Sequence, residues 1–170
     1  MRALFFLIAF SVSNSSFSQA STAQKTGIDN IVAYIDSDKD QQIHKFSIAA
    51  DKKVLLPIKY SYWTKAGKIT KIIRQFKILN DSTEQTFYFN NNQLVYSTEN
   101  IMTYYVEKNV SDSILWGGTY YFKSGKLIDI RTLGHGKSES DDWNPQAEVL
   151  LNSKNAKIDI KRNLARKNGG

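Results

Sequence analysis

The chain contains no cysteine and only two prolines and two histidines among its 170 residues. Without cysteine there can be no disulfide, thiolate zinc site, iron–sulfur centre, cysteine nucleophile or thioether-linked lipid. Two histidines are far fewer than a histidine-built metal centre usually needs. The sequence therefore implies no cofactor and predicts no metal site.

The remaining composition is that of an ordinary globular domain. Hydrophobic residues make up 41% of the chain and charged residues 23%. Such values are typical of a folded single domain and not of a disordered or fibrous chain.

The one apolar run lies at the N-terminus and predicts a signal peptide over residues 1–20. Arg2 supplies the positive start, an apolar run of about ten residues begins at Ala3, and Ser18-Gln19-Ala20 places small side chains at the cleavage positions. The run is about half the ~20 residues needed to span a bilayer. We therefore expect export with cleavage near Ala20.

Export has consequences for the mature chain, residues 21–170. Loss of Arg2 lowers the formal net charge from +7 to +6, and a domain of this size can form a core without cross-links. The expected location is the periplasm or the extracellular space. With no cysteine to acylate, a lipoprotein is excluded, and no second apolar run predicts a transmembrane segment in the mature chain.

The mature chain is predicted to form one α+β domain. Residues 21–27 read as a flexible leader, and the spacing of Ile28, Ile31 and Ile35 predicts a short helix over about 27–36. The full prediction is an antiparallel β-meander of about six to eight strands, as a curved sheet or partial barrel, with a short N-terminal helix and a C-terminal helix.

The strands are predicted between Phe46 and Phe122, where aromatic and β-branched residues alternate with polar ones. The first predicted strand covers Val54–Tyr62. Because Pro57 cannot donate a ladder hydrogen bond, this strand is expected at an edge or at a bulge.

Three segments share a hairpin pattern: Tyr88–Val95, Tyr121–Ile128 and, with a turn one residue longer, Tyr62–Ile69. Each reads as strand, tight turn, strand, with Asn92 and Gly125 where a positive φ is needed. The spacing of the copies is too irregular for a solenoid. They predict successive hairpins of one antiparallel sheet.

Residue parity along these strands predicts the two faces of the sheet. One face carries five aromatic residues that we expect in the core: Phe87, Phe89, Trp116, Tyr120 and Phe122. The more polar face carries Tyr88, Tyr105 and Tyr121. Because tyrosine is amphipathic and suits recognition surfaces, these three are the candidate binding residues. Alternatively, a helix such as the one near 28–36 covers them.

The C-terminal part carries most of the net charge. Asn144-Pro145 predicts an N-cap and a proline at the first helical position, with a helix over about 145–153. Beyond Asn155 the pattern favours helix over strand. Residues 154–170 form a basic tail with six basic residues and one acidic residue. Such a tail suits an acidic protein or an anionic envelope component, or it is simply a solvated helix face; export argues against nucleic acid.

No motif identifies a catalytic residue. The run Asp36-Ser37-Asp38-Lys39-Asp40 has the alternate acidic spacing that opens a calcium loop. Gln41 stands where a glycine should allow the sharp turn, and Ser47 where a glutamate should close the site. The run is therefore interpreted as an acidic helix end.

The histidines do not fit catalytic patterns either. His135, Ser138 and either Asp141 or Asp142 share one polar loop, whereas catalytic triads are assembled from distant segments. His44 has no partner at metal-ligand spacing and is interpreted as a surface residue.

The turn Tyr121-Phe122-Lys123-Ser124-Gly125-Lys126-Leu127, in a chain that starts with a signal and a short helix, resembles hairpins of small exported bacterial proteins. These proteins, many from Bacteroidota-like genomes, share a Tyr/Phe-x-x-Gly-Lys-Leu turn and have no assigned activity. The resemblance covers most of the mature chain and carries no catalytic residues across.

These features together predict an exported, soluble, non-enzymatic binding module. A specific version is an inhibitor or immunity-type protein that recognises another protein. Two alternatives stay open: a periplasmic hydrolase whose acid–base pair meets only in the folded chain, and a carrier of a small apolar ligand.

Overall fold

A computed structural model describes residues 22–49, 56–79, 81–105, 110–134 and 136–169. The predicted signal peptide, residues 1–20, lies outside these ranges. In chain order the elements are α1 (Thr22–Ser37), β1 (Gln42–Ile48), β2 (Ile58–Lys65), β3 (Lys68–Ile78), β4 (Asp81–Asn90), β5 (Gln93–Tyr105), β6 (Val110–Lys123), β7 (Lys126–Gly134), a 3₁₀ turn (Lys137–Glu139) and α2 (Pro145–Asn168).

The seven strands form one sheet in which each strand pairs with its neighbours in sequence. Every pairing is antiparallel, as expected when the connections are too short for a parallel crossover. Strands β1 and β7 form the two edges of this open sheet. The predicted α+β meander with a helix at each end is therefore confirmed.

Two-residue turns close the three repeated hairpins. At each turn both central residues have a positive φ: Ala66 and Gly67, Asn91 and Asn92, Ser124 and Gly125. This is the type I′ backbone, whose twist matches that of the strands. The longer turn predicted for the first hairpin is wrong, because Trp63 rather than Tyr62 takes the place of Tyr88.

Each of these hairpins also carries a bulge at the same place. One extra residue, Thr70, Val95 or Ile128, interrupts the pairing of the strand that leaves the turn. A one-residue insertion moves the following side chains to the other face. The bulges therefore let Leu94 and Leu127 lie on the same face as the core aromatic residues while the strands continue in register.

Helix α1 begins at Thr22, earlier than the predicted start near residue 27. The prediction of a flexible leader over 21–27 is therefore wrong for residues 22–27. Helical propensity is weak around Gly27, and a tertiary contact supports this first part of the helix: Lys25 donates to Asp129 Oδ2 at 2.8 Å.

Helix α2 begins as predicted. The Asn144 side chain accepts a hydrogen bond from the Ala147 N–H at 3.0 Å, and Pro145 occupies the first helical position. The cap satisfies one of the backbone donors that a helix start leaves free.

Helix α2 then continues well beyond the predicted end at residue 153. The basic segment 154–170 is, through residue 168, the second half of this helix. The strand alternative fails because Ala156 and Ile160 are fully buried at helical spacing, so they extend the apolar stripe that packs on the sheet.

The hydrophobic core lies between α2 and one face of the sheet, the α2 face. The five aromatic residues predicted in the core are all buried there: Phe87, Phe89, Trp116, Tyr120 and Phe122. Val149, Ala156 and Ile160 of α2 belong to the same cluster. Helix α1 lies on the opposite face, the α1 face.

Pro57 does not mark an edge strand. Strand β2 begins at Ile58, directly after the proline, and lies between β1 and β3. Because Pro57 precedes the ladder, it removes no hydrogen bond from it. The first part of the predicted strand, residues 54–55, lies outside the described residues.

Candidate functional site

Two of the three candidate binding tyrosines lie beneath α1. Tyr88 and Tyr121 are 7% and 5% exposed, and Tyr96 stands between them with ring centroids 5.6 and 5.1 Å away. Helix α1 covers them, which is the alternative that the sequence left open. With α1 in place neither ring presents a surface to a partner. Tyr105 belongs to β5, but its side chain lies outside the described part of the structure.

The covered tyrosines fasten α1 to the sheet. The Tyr88 hydroxyl donates to Asp36 Oδ2 at 3.0 Å, and burial together with this carboxylate raises the pKa of Tyr88. Burial and a hydrogen bond with Asp29 raise the pKa of Tyr121 to about 12. Both hydroxyls therefore stay protonated and act as donors to α1.

Lysines neutralise the acidic end of α1. Asp36 pairs with Lys71 at 2.7 Å, and Asp38 pairs with Lys65 at 2.6 Å. The hydrogen bond from Lys65 lowers the pKa of Asp38. Within the described ranges no three acidic or histidine side chains converge as a metal site.

Among the described residues of the two histidine-containing segments, no catalytic group is formed. His44 lies on β1, where its ring stacks on Tyr62 at 4.6 Å and its Nε2 is 3.1 Å from Thr64 Oγ1. Ser138 and Asp141 are both exposed before α2, and His135 lies outside the described residues.

Two glutamates come together at the α2 face, as the carboxyl pair of a hydrolase would. Both contact one lysine. Lys137 Nζ donates to Glu99 Oε2 at 2.9 Å and also to Glu148 of α2. The remaining oxygens accept from Gln85 at 2.8 Å and from the Trp143 indole at 2.9 Å. Because every carboxylate oxygen has a donor and the lysine fills the space between the acids, this cluster is suited to holding α2 on the sheet rather than to catalysis.

The charge on Lys137 is maintained by these acids. Burial opposes its charge, but the hydrogen bonds with Glu148 and Glu99 outweigh burial and raise the pKa of Lys137. The sequence carried no signal for this cluster, since its members come from β5, the 3₁₀ turn and α2.

Near their turns, the repeated hairpins are no longer paired with one another. Pairing between β3 and β4 reaches Lys71 and Tyr88 and stops there on the side of the turns. Pairing between β5 and β6 stops likewise at Tyr96 and Tyr121. The β4–β5 turn therefore projects from the sheet with space on either side.

A groove of about 480 Å³ lies between α2 and the β4–β5 turn, within the size range of ligand sites. Its floor consists of the apolar residues Phe89, Leu94, Leu150 and Ile158, and its rim carries Lys154, Lys157 and Lys161. We call it the lysine groove. Of the described residues that line it, none is acidic.

Lys157 is held in place above the floor of the lysine groove. Its Nζ lies 3.8 Å from the centroid of the Phe89 ring and donates to the Asn92 carbonyl at 3.1 Å. Burial lowers the pKa of Lys157, because the charged form loses water there. The attraction of an anionic group placed beside Lys157 Nζ would offset the loss of hydration.

Lys154 and Lys161 are exposed on the same side of α2. Positions i, i+3 and i+7 of a helix share one side. Extending the predicted helix through residue 161 would therefore have placed Lys154, Lys157 and Lys161 in one row. The apolar floor could not have been predicted, because it depends on how the β4–β5 turn meets α2.

Comparison with known proteins yields no relative: no family model, curated protein or solved structure matches this chain. Among the described helices, none combines the length and the apolar character needed to cross a membrane.

Proposed function

We propose that this protein is an exported binding module that recognises an acidic surface of another protein, in the manner of an inhibitor or immunity protein. The lysine groove is the binding site. The observation that carries the proposal is the row of three lysines above an apolar floor with no acidic residue lining it.

The groove combines the two features that protein recognition uses. The partly buried apolar side chains Leu150 and Ile158 offer surface that a partner can remove from water. Lysines at the rim steer an acidic partner and set its orientation. A purely electrostatic ligand, such as an anionic polymer, would have no use for the apolar floor.

The test compares capture of partners by matched charge-reversal variants of the mature chain. The site variant carries Lys154→Glu and Lys161→Glu, and the control carries Lys45→Glu and Lys77→Glu, two exposed lysines on β1 and β3. Each immobilised protein is incubated with the envelope fraction of its own host at about 0.15 M salt. Circular dichroism checks that all three proteins fold.

We expect one acidic protein to be retained by the unaltered and control proteins and lost from the site variant. Equal retention by all three proteins would show that binding does not use the lysine groove. If no protein is retained by the unaltered chain, the recognition function itself is refuted.

A further inference from the structure

Helix α2 carries a second stripe that faces away from the sheet. Leu151, Lys154, Ile158, Lys161 and Ala165 follow one another at alternating spacings of three and four residues. All are exposed except Ile158, which is partly buried. We call this set the outer stripe.

The outer stripe has the spacing of a heptad seam. In a coiled coil, positions a and d of each heptad meet the partner helix. Here Leu151, Ile158 and Ala165 take the a positions, and Lys154 and Lys161 take the d positions. Leu151 is 56% exposed, so an apolar contact is available at the start of the seam.

The stripe that packs on the sheet lies on the other side of the helix. Val149, Ala156 and Ile160 are buried against the core, so they supply the apolar packing of α2 on the sheet. The outer stripe is not needed for that packing. Its ordered alternation of apolar and basic residues differs from singly scattered surface leucines, which need no explanation.

We propose that the partner element is an amphipathic acidic helix that packs along the outer stripe of α2 with one flank in the lysine groove. This inference rests on the proposed function and specifies the partner segment that binds. The two surfaces adjoin, since Lys154, Ile158 and Lys161 belong to both.

The spacing of the cations favours a helix over an extended strand as the occupant. Lys154 and Lys161 lie seven residues apart, which is about 10.5 Å along a helix axis. A partner helix repeats acidic side chains at that same distance. An extended strand repeats side chains on one side about every 6.6–7 Å and falls out of step.

Charge complementarity indicates that the partner helix is negatively charged. The second half of α2 has one acid, Asp159, and its carboxylate accepts from the Tyr60 hydroxyl at 2.6 Å on another side of the helix. The outer stripe therefore presents lysine without a competing carboxylate of its own. Glutamates opposite the d positions would pair with Lys154 and Lys161 while apolar residues meet Leu151 and Ile158.

The test uses two synthetic peptides of about two heptads with identical composition. One places leucines and glutamates as an amphipathic helix complementary to the outer stripe, and the other has the same residues scrambled. Binding to the mature protein is measured by fluorescence anisotropy, and peptide helicity by circular dichroism. The protein is also prepared as Leu151→Ala and, for comparison, Leu164→Ala, which truncates an exposed leucine outside the stripe.

We expect the amphipathic peptide to bind about tenfold more tightly than the scrambled one, a difference of about 1.4 kcal/mol, and to gain helicity on binding. Leu151→Ala should weaken binding severalfold, whereas Leu164→Ala should leave it unchanged. Equal binding of both peptides overturns the helix inference and leaves the proposed acidic-partner function standing. If neither peptide binds, the helix inference is also overturned, and the capture experiment alone then decides the proposed function.

Discussion

At the scale of single residues, the missing side chain at Gly118 is a packing constraint of the core. A Cβ there would lie 2.5 Å from Tyr120 Oη and 2.6 Å from Trp116 Cη2. Both aromatic residues are 1% exposed, so neither ring can swing into solvent. Protein interiors are packed too densely to absorb such an overlap. Gly118 therefore makes room for two large core side chains.

Gly118→Ala is expected to lower the free energy of unfolding by about 1–3 kcal/mol, the usual cost of overpacking a core. Gly27→Ala is the matched control: no atom lies within 4 Å of its added Cβ. In the interior of α1 that change should stabilise by up to about 1 kcal/mol. Chemical denaturation of both variants measures the difference, and a neutral Gly118→Ala would contradict the packing argument.

At the scale of elements, the two helices are attached to the sheet by a different balance of apolar and polar contacts. Helix α2 packs with Val149, Ala156 and Ile160 in the core. In α1 the buried residues are Ile28 and Ile35, and its polar contacts tie it to the sheet. Elements with few buried apolar side chains open at lower free energy than the rest of a fold. Helix α1 is therefore the more easily released of the two.

Asp36→Ala is expected to loosen α1 and leave α2 unaffected. The change removes the acceptor for Tyr88 and the partner of Lys71. Because Asp36 is partly exposed, the expected cost is on the order of 1 kcal/mol. Hydrogen exchange of the α1 amides should accelerate about fivefold.

Asp40→Ala serves as the control for this prediction. The backbone N–H of Asp40 donates to Asp38 Oδ1, and this hydrogen bond remains when the Asp40 side chain is removed. Exchange in α1 should then stay at the original rate. Equal acceleration in α1 and α2 for Asp36→Ala would indicate global destabilisation and contradict the local role.

At the scale of the whole molecule, tyrosine side chains are buried on both faces of the sheet. Burial raises the pKa of Tyr60 and Tyr120 on the α2 face, and likewise of Tyr88 and Tyr121 on the α1 face. The folded protein therefore keeps these protons at a pH where the unfolded chain has released them.

This difference predicts loss of stability in alkali. Since the folded state binds more protons above the ordinary tyrosine pKa of about 10, the free energy of unfolding falls as pH rises beyond that value. Below it the tyrosine contribution is fully present, so stability should be level from about pH 7 to 9 as far as these groups are concerned.

The measurement is tyrosinate absorbance followed together with circular dichroism during alkaline titration. The buried tyrosines should ionise in the same transition in which secondary structure is lost, while the denatured protein shows one ordinary titration. Tyr121→Phe should remove one tyrosine from the cooperative step. Ionisation of all tyrosines in the intact fold near pH 10 would contradict the prediction.

The sequence already contained most of the local information. The type I′ turns follow from residues such as Asn92 and Gly125 that tolerate a positive φ, and the start of α2 follows from Asn144-Pro145. The five core aromatics could be predicted because side chains alternate along a strand. By contrast, the start of α1 was missed, since weak helical propensity near Gly27 is decided by contacts such as that of Lys25 with Asp129.

Local pattern thus determined the antiparallel hairpins, the core face and the sign of the charge on residues 154–170, but neither strand β1 nor the turn length of the first repeated hairpin. The fate of Tyr88 and Tyr121 was decided by the position of α1 on the sheet, because parity assigns a side chain to a face but does not say what covers that face. The lysine groove likewise exists because α2 meets the β4–β5 turn, and the contact between Lys157 and Phe89 joins residues far apart in the chain. Such contacts depend on long-range packing, which no local pattern of residues contains.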